Sequence, residues 1–180
     1  MRIVGGRLRG APLWCPPGDR LRPTADRARE ALFNILAPVV EGATFLDLFA
    51  GTGAVGYEAH SRGAARVVLV DTDVEALSKN ALRLRIRTDG DAVSVIRGGF
   101  DAACRRLAGD RFDLIFADPP WKEGMERAIL ERAAPLLAED GGLILESWVK
   151  VDPPREAEGL TVDDVRRYGD TKFTFYRRTG

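Results

Sequence analysis

The chain has 180 residues, 27 of them basic and 27 acidic, so it carries no net charge and no global cationic field. Its hydrophobic fraction of 45% supports one domain with a sizeable core. One histidine, His60, and two distant cysteines, Cys15 and Cys104, argue against His-based triads, metal-ligand clusters and a disulfide scaffold; no apolar run approaches a membrane span and no leader-like segment follows Arg2, so a cytoplasmic protein is expected.

Met1 to Pro17 read as a small β-hairpin arm. Arg2-Ile3-Val4 forms a short strand, Gly5-Gly6 the turn, and Leu8 to Trp14 the return. The first thirty residues are locally basic: Arg2, Arg7, Arg9, Arg20, Arg22, Arg27 and Arg29 stand against Asp19, Asp26 and Glu30. Such an end can meet phosphates even on a neutral protein. Arg22-Pro23-Thr24 leads into a helix with Thr24 as N-cap and Asp26 in the first turn. Ala28, Leu32, Ile35 and Leu36 share its apolar face, and Pro38 is expected to end it. Arg27 and Arg29 either bridge acids on a solvated face or face a phosphate.

The main domain starts near Thr44. Thr44 to Phe49 is a buried strand with one acid, Asp47, inside it. A glycine loop, Ala50 to Gly56, opens a helix that runs to about Arg62. Strands at Arg66–Val70, Ala92–Ile96, Phe112–Ala117 and Gly142–Trp148 alternate with helices at Asp73–Arg87, Phe100–Leu107 and Met125–Leu137. This alternation predicts a parallel sheet covered on both faces. Pro153-Pro154 predicts a loop, and Leu160–Tyr168 with Lys172–Arg177 predict a closing antiparallel hairpin about Gly169-Asp170.

Three stretches carry chemistry. Gly51, Gly53 and Gly56 spell G-x-G-x-x-G between a strand and a helix, and Asp71 follows at a spacing suited to ribose hydroxyls. Dinucleotide enzymes share this pattern. Asp47, however, would repel a pyrophosphate, and it suits the ammonium of a methionine moiety, directly or through a water. The third stretch, Asp118-Pro119-Pro120-Trp121, ends a strand at the mouth of the sheet. Asp118 and the Pro119 carbonyl can accept the two protons of an exocyclic amine. Trp121 can stack on the ring, a contact worth roughly 1–3 kcal/mol per base. S-adenosylmethionine satisfies all three stretches, and hydride transfer has no evident use for the last.

Leu46-Asp47-Leu48-Phe49-Ala50-Gly51-Thr52-Gly53-Ala54-Val55-Gly56 with Asp118-Pro119-Pro120-Trp121 resembles class I adenosylmethionine-dependent methyltransferases acting on an amino nitrogen. Arg2-Ile3-Val4-Gly5-Gly6, Arg9-Gly10, the block Leu21 to Leu36 and the terminal Tyr168-Gly169-Asp170-Thr171 are similar to the RsmD family, which methylates a guanine N2 in 16S ribosomal RNA. The resemblance implies an α/β, Rossmann-like fold with a seven-stranded, mostly parallel sheet in the order 3-2-1-4-5-7-6. It also implies helices on both faces, an antiparallel edge hairpin, a basic arm over residues 1–20 and a methyltransferase domain over 21–180. Asp118, Pro119, Pro120 and Trp121 would be catalytic. Asp47, Phe49, Ala50, Gly51, Gly53, Asp71, Thr72, Gly99, Phe100 and Asp118 would hold the cofactor. Arg7, Arg9, Arg22, Thr24, Arg27, Arg29 and Trp121 would meet RNA, within the small ribosomal subunit or its assembly intermediate, and the protein would act as a monomer. No metal is implied. After the third strand, where such enzymes often carry Asp or Asn for the adenine amine, this chain has Arg97-Gly98-Gly99-Phe100. Backbone groups and Phe100, or Asp101 in a shifted register, would serve instead. The Asp-Pro-Pro-aromatic motif is shared with adenine-N6 methyltransferases, and a non-catalytic adenosylmethionine-binding RNA chaperone is the alternative of a different class.

Overall fold

The computed structural model describes residues 1–16, 23–120 and 124–179, with side chains other than those of residues 23–25. Five helices, α1 (Pro23–Val40), α2 (Ala54–Ser61), α3 (Glu75–Leu84), α4 (Phe100–Arg106) and α5 (Glu126–Ala133), pack on one sheet. Its strands are β1 (Thr44–Leu48), β2 (Arg66–Asp71), β3 (Val93–Arg97), β4 (Phe112–Ala117), β5 (Leu137–Trp148), β6 (Glu156–Ala157), β7 (Leu160–Tyr168) and β8 (Thr171–Arg178). The spatial order is β3-β2-β1-β4-β5-β8-β7-β6. Strands β1 to β5 run parallel, while β8 is antiparallel to β5 and β7. No described helix is long and apolar enough to cross a membrane.

The central strands are mostly apolar because both faces are covered, with Asp47 the one acid buried inside β1. On one face Phe45, Val67, Leu69 and Phe116 pack against Leu32 and Phe33 of α1, Tyr57 of α2 and Leu77 of α3. On the other, Leu46, Val68, Ile115 and Leu143 pack against Phe100 and Ala103 of α4 and Ile129 and Leu130 of α5. Each fully buried side chain of this size contributes roughly 1.5–3 kcal/mol.

Four expectations need correction. The sheet has eight strands, not seven: Glu158 and Gly159, both at positive φ, turn the chain back so that Glu156–Ala157 pairs with Leu160–Thr161. The remaining seven keep the expected order. The α1 helix continues through Pro38 to Val40; Pro38 and Asn34, whose carbonyl loses its helical partner there, both lie at exposed positions. Strand β5 starts at Leu137, five residues early, across a register shift opposite Phe112–Leu114. The turn of the arm is wider than Gly5-Gly6: a 3₁₀ turn at Gly6–Leu8 intervenes. The two legs still pair antiparallel through the Arg2 to Pro12 bridge, the Ile3 N–H on the Ala11 carbonyl and the Leu13 N–H on the Met1 carbonyl, with Ile3 and Leu13 buried in the main core.

Candidate active site

The carboxyl ends of β1, β2 and β4 open onto a cavity of about 410 Å³ lined by Phe49, Asp71, Thr72, Asp118, Pro119 and Pro120. Phe49 at the head of the glycine loop, Asp71 and the Asp118-Pro119-Pro120 stretch thus converge. The glycine loop is shaped by what each residue meets. Gly51, at φ +56, has nothing within 4 Å of where a Cβ would sit, so a ligand can approach its backbone. A Cβ on Gly56 would lie 2.1 Å from Leu69 Cδ2, so only glycine lets α2 close on β2. Asp71 Oδ2 accepts the Gly51 N–H at 2.7 Å and Oδ1 accepts the Asp73 N–H at 2.9 Å, which fixes the carboxylate at the strand tip.

Phe49 is held at φ +64, a left-handed conformation that costs a non-glycine residue roughly 1 kcal/mol or more. Its ring stacks on Phe100 with centroids 5.5 Å apart. The pair forms an apolar wall beside Gly98 and Gly99, whose Cβ positions are open. Asp101 is engaged elsewhere, in an exposed ion pair with Arg132.

Asp47 lies under the loop. It is 1% exposed, is not among the cavity-lining side chains, and accepts the Gly56 N–H at 2.8 Å. Burial pushes its carboxyl up to about 8; the Gly56 bond opposes this, and the charges of Asp118 and Asp71 add to the rise. A folded pKa above the unfolded 3.8 means that the neutral acid favours the fold at low pH, and that contribution is lost as pH climbs toward 8. Asp47→Asn keeps an acceptor for Gly56 and removes the titration. Urea unfolding between about pH 5 and about pH 9 should show the variant gaining on the parent with rising pH, by up to about 1.4 kcal/mol per unit. Parallel curves for the two proteins would refute it.

Two residues of the site escaped the sequence. Asn80 of α3, fully buried, accepts the Trp14 N–H at 2.6 Å and donates to the Trp14 and Thr52 carbonyls at 3.0 and 2.9 Å. It clamps the arm to the glycine loop. Its one signal is a polar residue beside Leu77 and Ala81 on an apolar helix face. Glu146 of β5 is the other: burial, then the charges of Asp118 and Asp47, raise its carboxyl well above the ordinary range.

The cations expected at RNA divide. Arg9 and Arg27 are exposed, and Arg7 is exposed while contacting His60. Arg29 is corrected: it is 5% exposed and is bound to Asp26, Glu58 and the Arg2 carbonyl, so it secures the arm and does not face a phosphate. Arg22 and Trp121 lie outside the described residues, as does the side chain of Thr24.

With Asp71 and Asp118 lining the cavity and Asp47 neutral beneath it, the acidic lining suits a cationic organic ligand better than a diphosphate, and the expected direct anionic contact of Asp47 is corrected to a buried acid that holds the Gly56 N–H. Among the described residues no His, Cys, Asp and Glu group is arranged to hold a metal ion. The family described as conserved hypothetical protein 95 matches residues 1–177. The chain belongs to the RsmD family of methyltransferases. Within that family's range, Ribosomal RNA small subunit methyltransferase D of Escherichia coli strain K12 is 39% identical over 155 residues, covering 84% of this chain and 74% of that protein. YlbH of Bacillus subtilis is 33% identical over 186 residues, spanning 100% of both. The solved structure of yhhF from Escherichia coli superposes with a TM-score of 0.84 at 34% identity, covering 99% of this chain and 97% of that one.

Proposed function

We propose that this enzyme places a methyl group on the exocyclic N2 of a guanine in 16S ribosomal RNA, within the small subunit or an assembly intermediate, acting as a cytoplasmic monomer. The chain is an S-adenosylmethionine-dependent methyltransferase. Its relative in Escherichia coli carries the small-subunit ribosomal RNA activity in its name. The observation that carries the reading is the shared cavity, where Asp71 and Phe49 face the same space as Asp118 and Pro119.

The cofactor fits the residues present. Its positive charge suits a cavity lined by Asp71 and Asp118, its ribose suits Asp71, and its adenine suits Phe49 with Gly99 and Phe100. When bound it supplies an electrophilic methyl. What the chain adds is position and charge. Asp118 follows the last residue of β4, and its N–H reaches the Leu48 carbonyl at 3.4 Å, so its place is set by the paired ends of β1 and β4. Pro119 is buried and Pro120 exposed, and neither has an N–H, so the loop presents carbonyls as acceptors. Holding both protons of a conjugated amine favours a pyramidal nitrogen. The Asp118 charge then stabilises the positive charge that grows there. Trp121 would stack on the splayed base.

Ligand-induced shifts in unfolding temperature separate the cofactors. Adenosylhomocysteine at about a hundred times its Kd should stabilise by about 2.7 kcal/mol, a rise of roughly 5–10 °C, while NAD leaves the transition in place. Labelled-methyl transfer to small subunits, naked ribosomal RNA, DNA and protein tests the substrate. Label on adenine N6, or on DNA, would replace the guanine reading.

A further inference from the structure

We propose that Glu146 is a positioning residue for the methyl transfer, a second carboxyl group set beside Asp118 and oriented by the hydroxyl of Thr171. The inference rests on Asp118 being the acceptor for the target amine.

The sheet register makes the pair. Phe116 of β4 is aligned with Asp47 of β1 and Ile144 of β5, and Ala117 with Leu145. One pleat further on, Asp118 and Glu146 follow as neighbours on the face that carries Phe116 and Ile144. Asp47, Asp118 and Glu146 therefore form a run of carboxyl groups along one face, at the edge of the cavity that Asp118 lines. From the other side, Thr171 Oγ1 donates to Glu146 Oε1 at 3.5 Å. Thr171 closes the Tyr168-Gly169-Asp170-Thr171 turn. That turn is pinned by the Val149 N–H on the Asp170 carbonyl at 2.8 Å and by the Tyr168 ring against Phe173, which is itself aligned with Glu146. The turn has no other evident part in the site, and this arrangement gives it one.

Three carboxyl groups so placed do not all ionise together. The groups acting on Glu146 are Asp118 from the end of β4, Asp47 from β1 and the Thr171 hydroxyl from β8; burial is the largest influence, and both acids push it the same way, toward the protonated form. With Glu146 protonated, no second negative charge stands beside Asp118, the group that meets the amine. When Glu146 ionises at high pH, a second negative charge beside Asp118 disturbs that pose.

The test measures single-turnover methyl transfer to undermethylated small subunits across pH, with adenosylhomocysteine affinity measured by calorimetry. The parent's rate should decline on the alkaline side, and Glu146→Gln should keep the neutral-pH rate within about threefold and lose that decline. Glu146→Ala should lose about 10–100-fold in rate with cofactor affinity unchanged. Thr171→Val, which keeps the side-chain shape and removes the hydroxyl, should lose about 3–10-fold and move the alkaline limb. Parental rates and an unmoved pH profile in Glu146→Gln and Thr171→Val would overturn the proposal, as would a loss in Glu146→Ala confined to cofactor affinity. Asp118→Asn is assayed alongside. If it is impaired while the Glu146 and Thr171 variants are parental, this inference alone fails; if the parent labels no ribosomal RNA guanine, the functional reading fails.

Discussion

Asp118→Ala should lose methyl transfer by on the order of 10³-fold or more, about 4 kcal/mol in the barrier, with adenosylhomocysteine affinity changed less than about tenfold. The expected split follows from where the residue sits. Asp118 lies just past β4, on the opposite side of β1 from Asp71 at the end of β2, and both line one cavity. The glycine loop, Asp71 and Phe49 remain intact in the variant, so the cofactor half of the crevice keeps its contacts. What disappears is an anion at the point where an amine would gain positive charge. Asp118→Asn keeps one oxygen acceptor and loses the charge, so it should fall between parent and alanine. Single-turnover rates with saturating cofactor separate chemistry from binding. A parental rate in Asp118→Ala would remove the central assignment, and a large loss of cofactor affinity with parental turnover would move Asp118 into the cofactor half.

The architecture was legible because the central strands are continuous apolar runs between glycine and proline breaks. Phe112–Ala117 and Leu160–Tyr168 were bounded to the residue. The glycine loop was legible for a related reason: its spacing reflects steric limits, seen in the 2.1 Å approach that a Gly56 Cβ would make to Leu69. What stayed hidden depends on register and packing between distant segments. Glu146 reads as one acid in the predicted strand Gly142–Trp148, and only the alignment of β4 with β5 brings it next to Asp118. Arg29 reads as one more cation of a basic end. Its partner Glu58 lies in another helix, and no helical periodicity announces that pairing. The extra strand at Glu156–Ala157 was hidden by Pro153-Pro154, which correctly predicted a loop but gave no sign that the chain would pair just beyond it.

Glu58→Ala should destabilise the fold by about 3–5 kcal/mol, lowering the unfolding temperature by roughly 6–20 °C. Glu58 is fully buried on α2 and serves three groups. Its Oε2 accepts the Val4 N–H of the arm at 2.8 Å, its Oε1 accepts Arg62 Nε at 2.8 Å, and Arg29 Nε of α1 lies 3.7 Å away as an ion pair. Truncation strands the buried Arg29 cation, with Asp26 as its remaining acid, and leaves the Val4 N–H without its carboxylate. A buried charge left only partly compensated is the costly part; the pair itself could be replaced by apolar groups at little loss. The damage should be local in its functional reach. The arm carries Arg7 and Arg9 and rests on the glycine loop through Asn80, so loosening it should weaken RNA binding more than adenosylhomocysteine binding, measured below the lowered transition. Protease should also cut the arm of the variant well before the main domain. If Glu58→Ala melted with the parent, or lost cofactor and RNA affinity in equal measure, the buried carboxylate would not be what fastens the arm beside the active site.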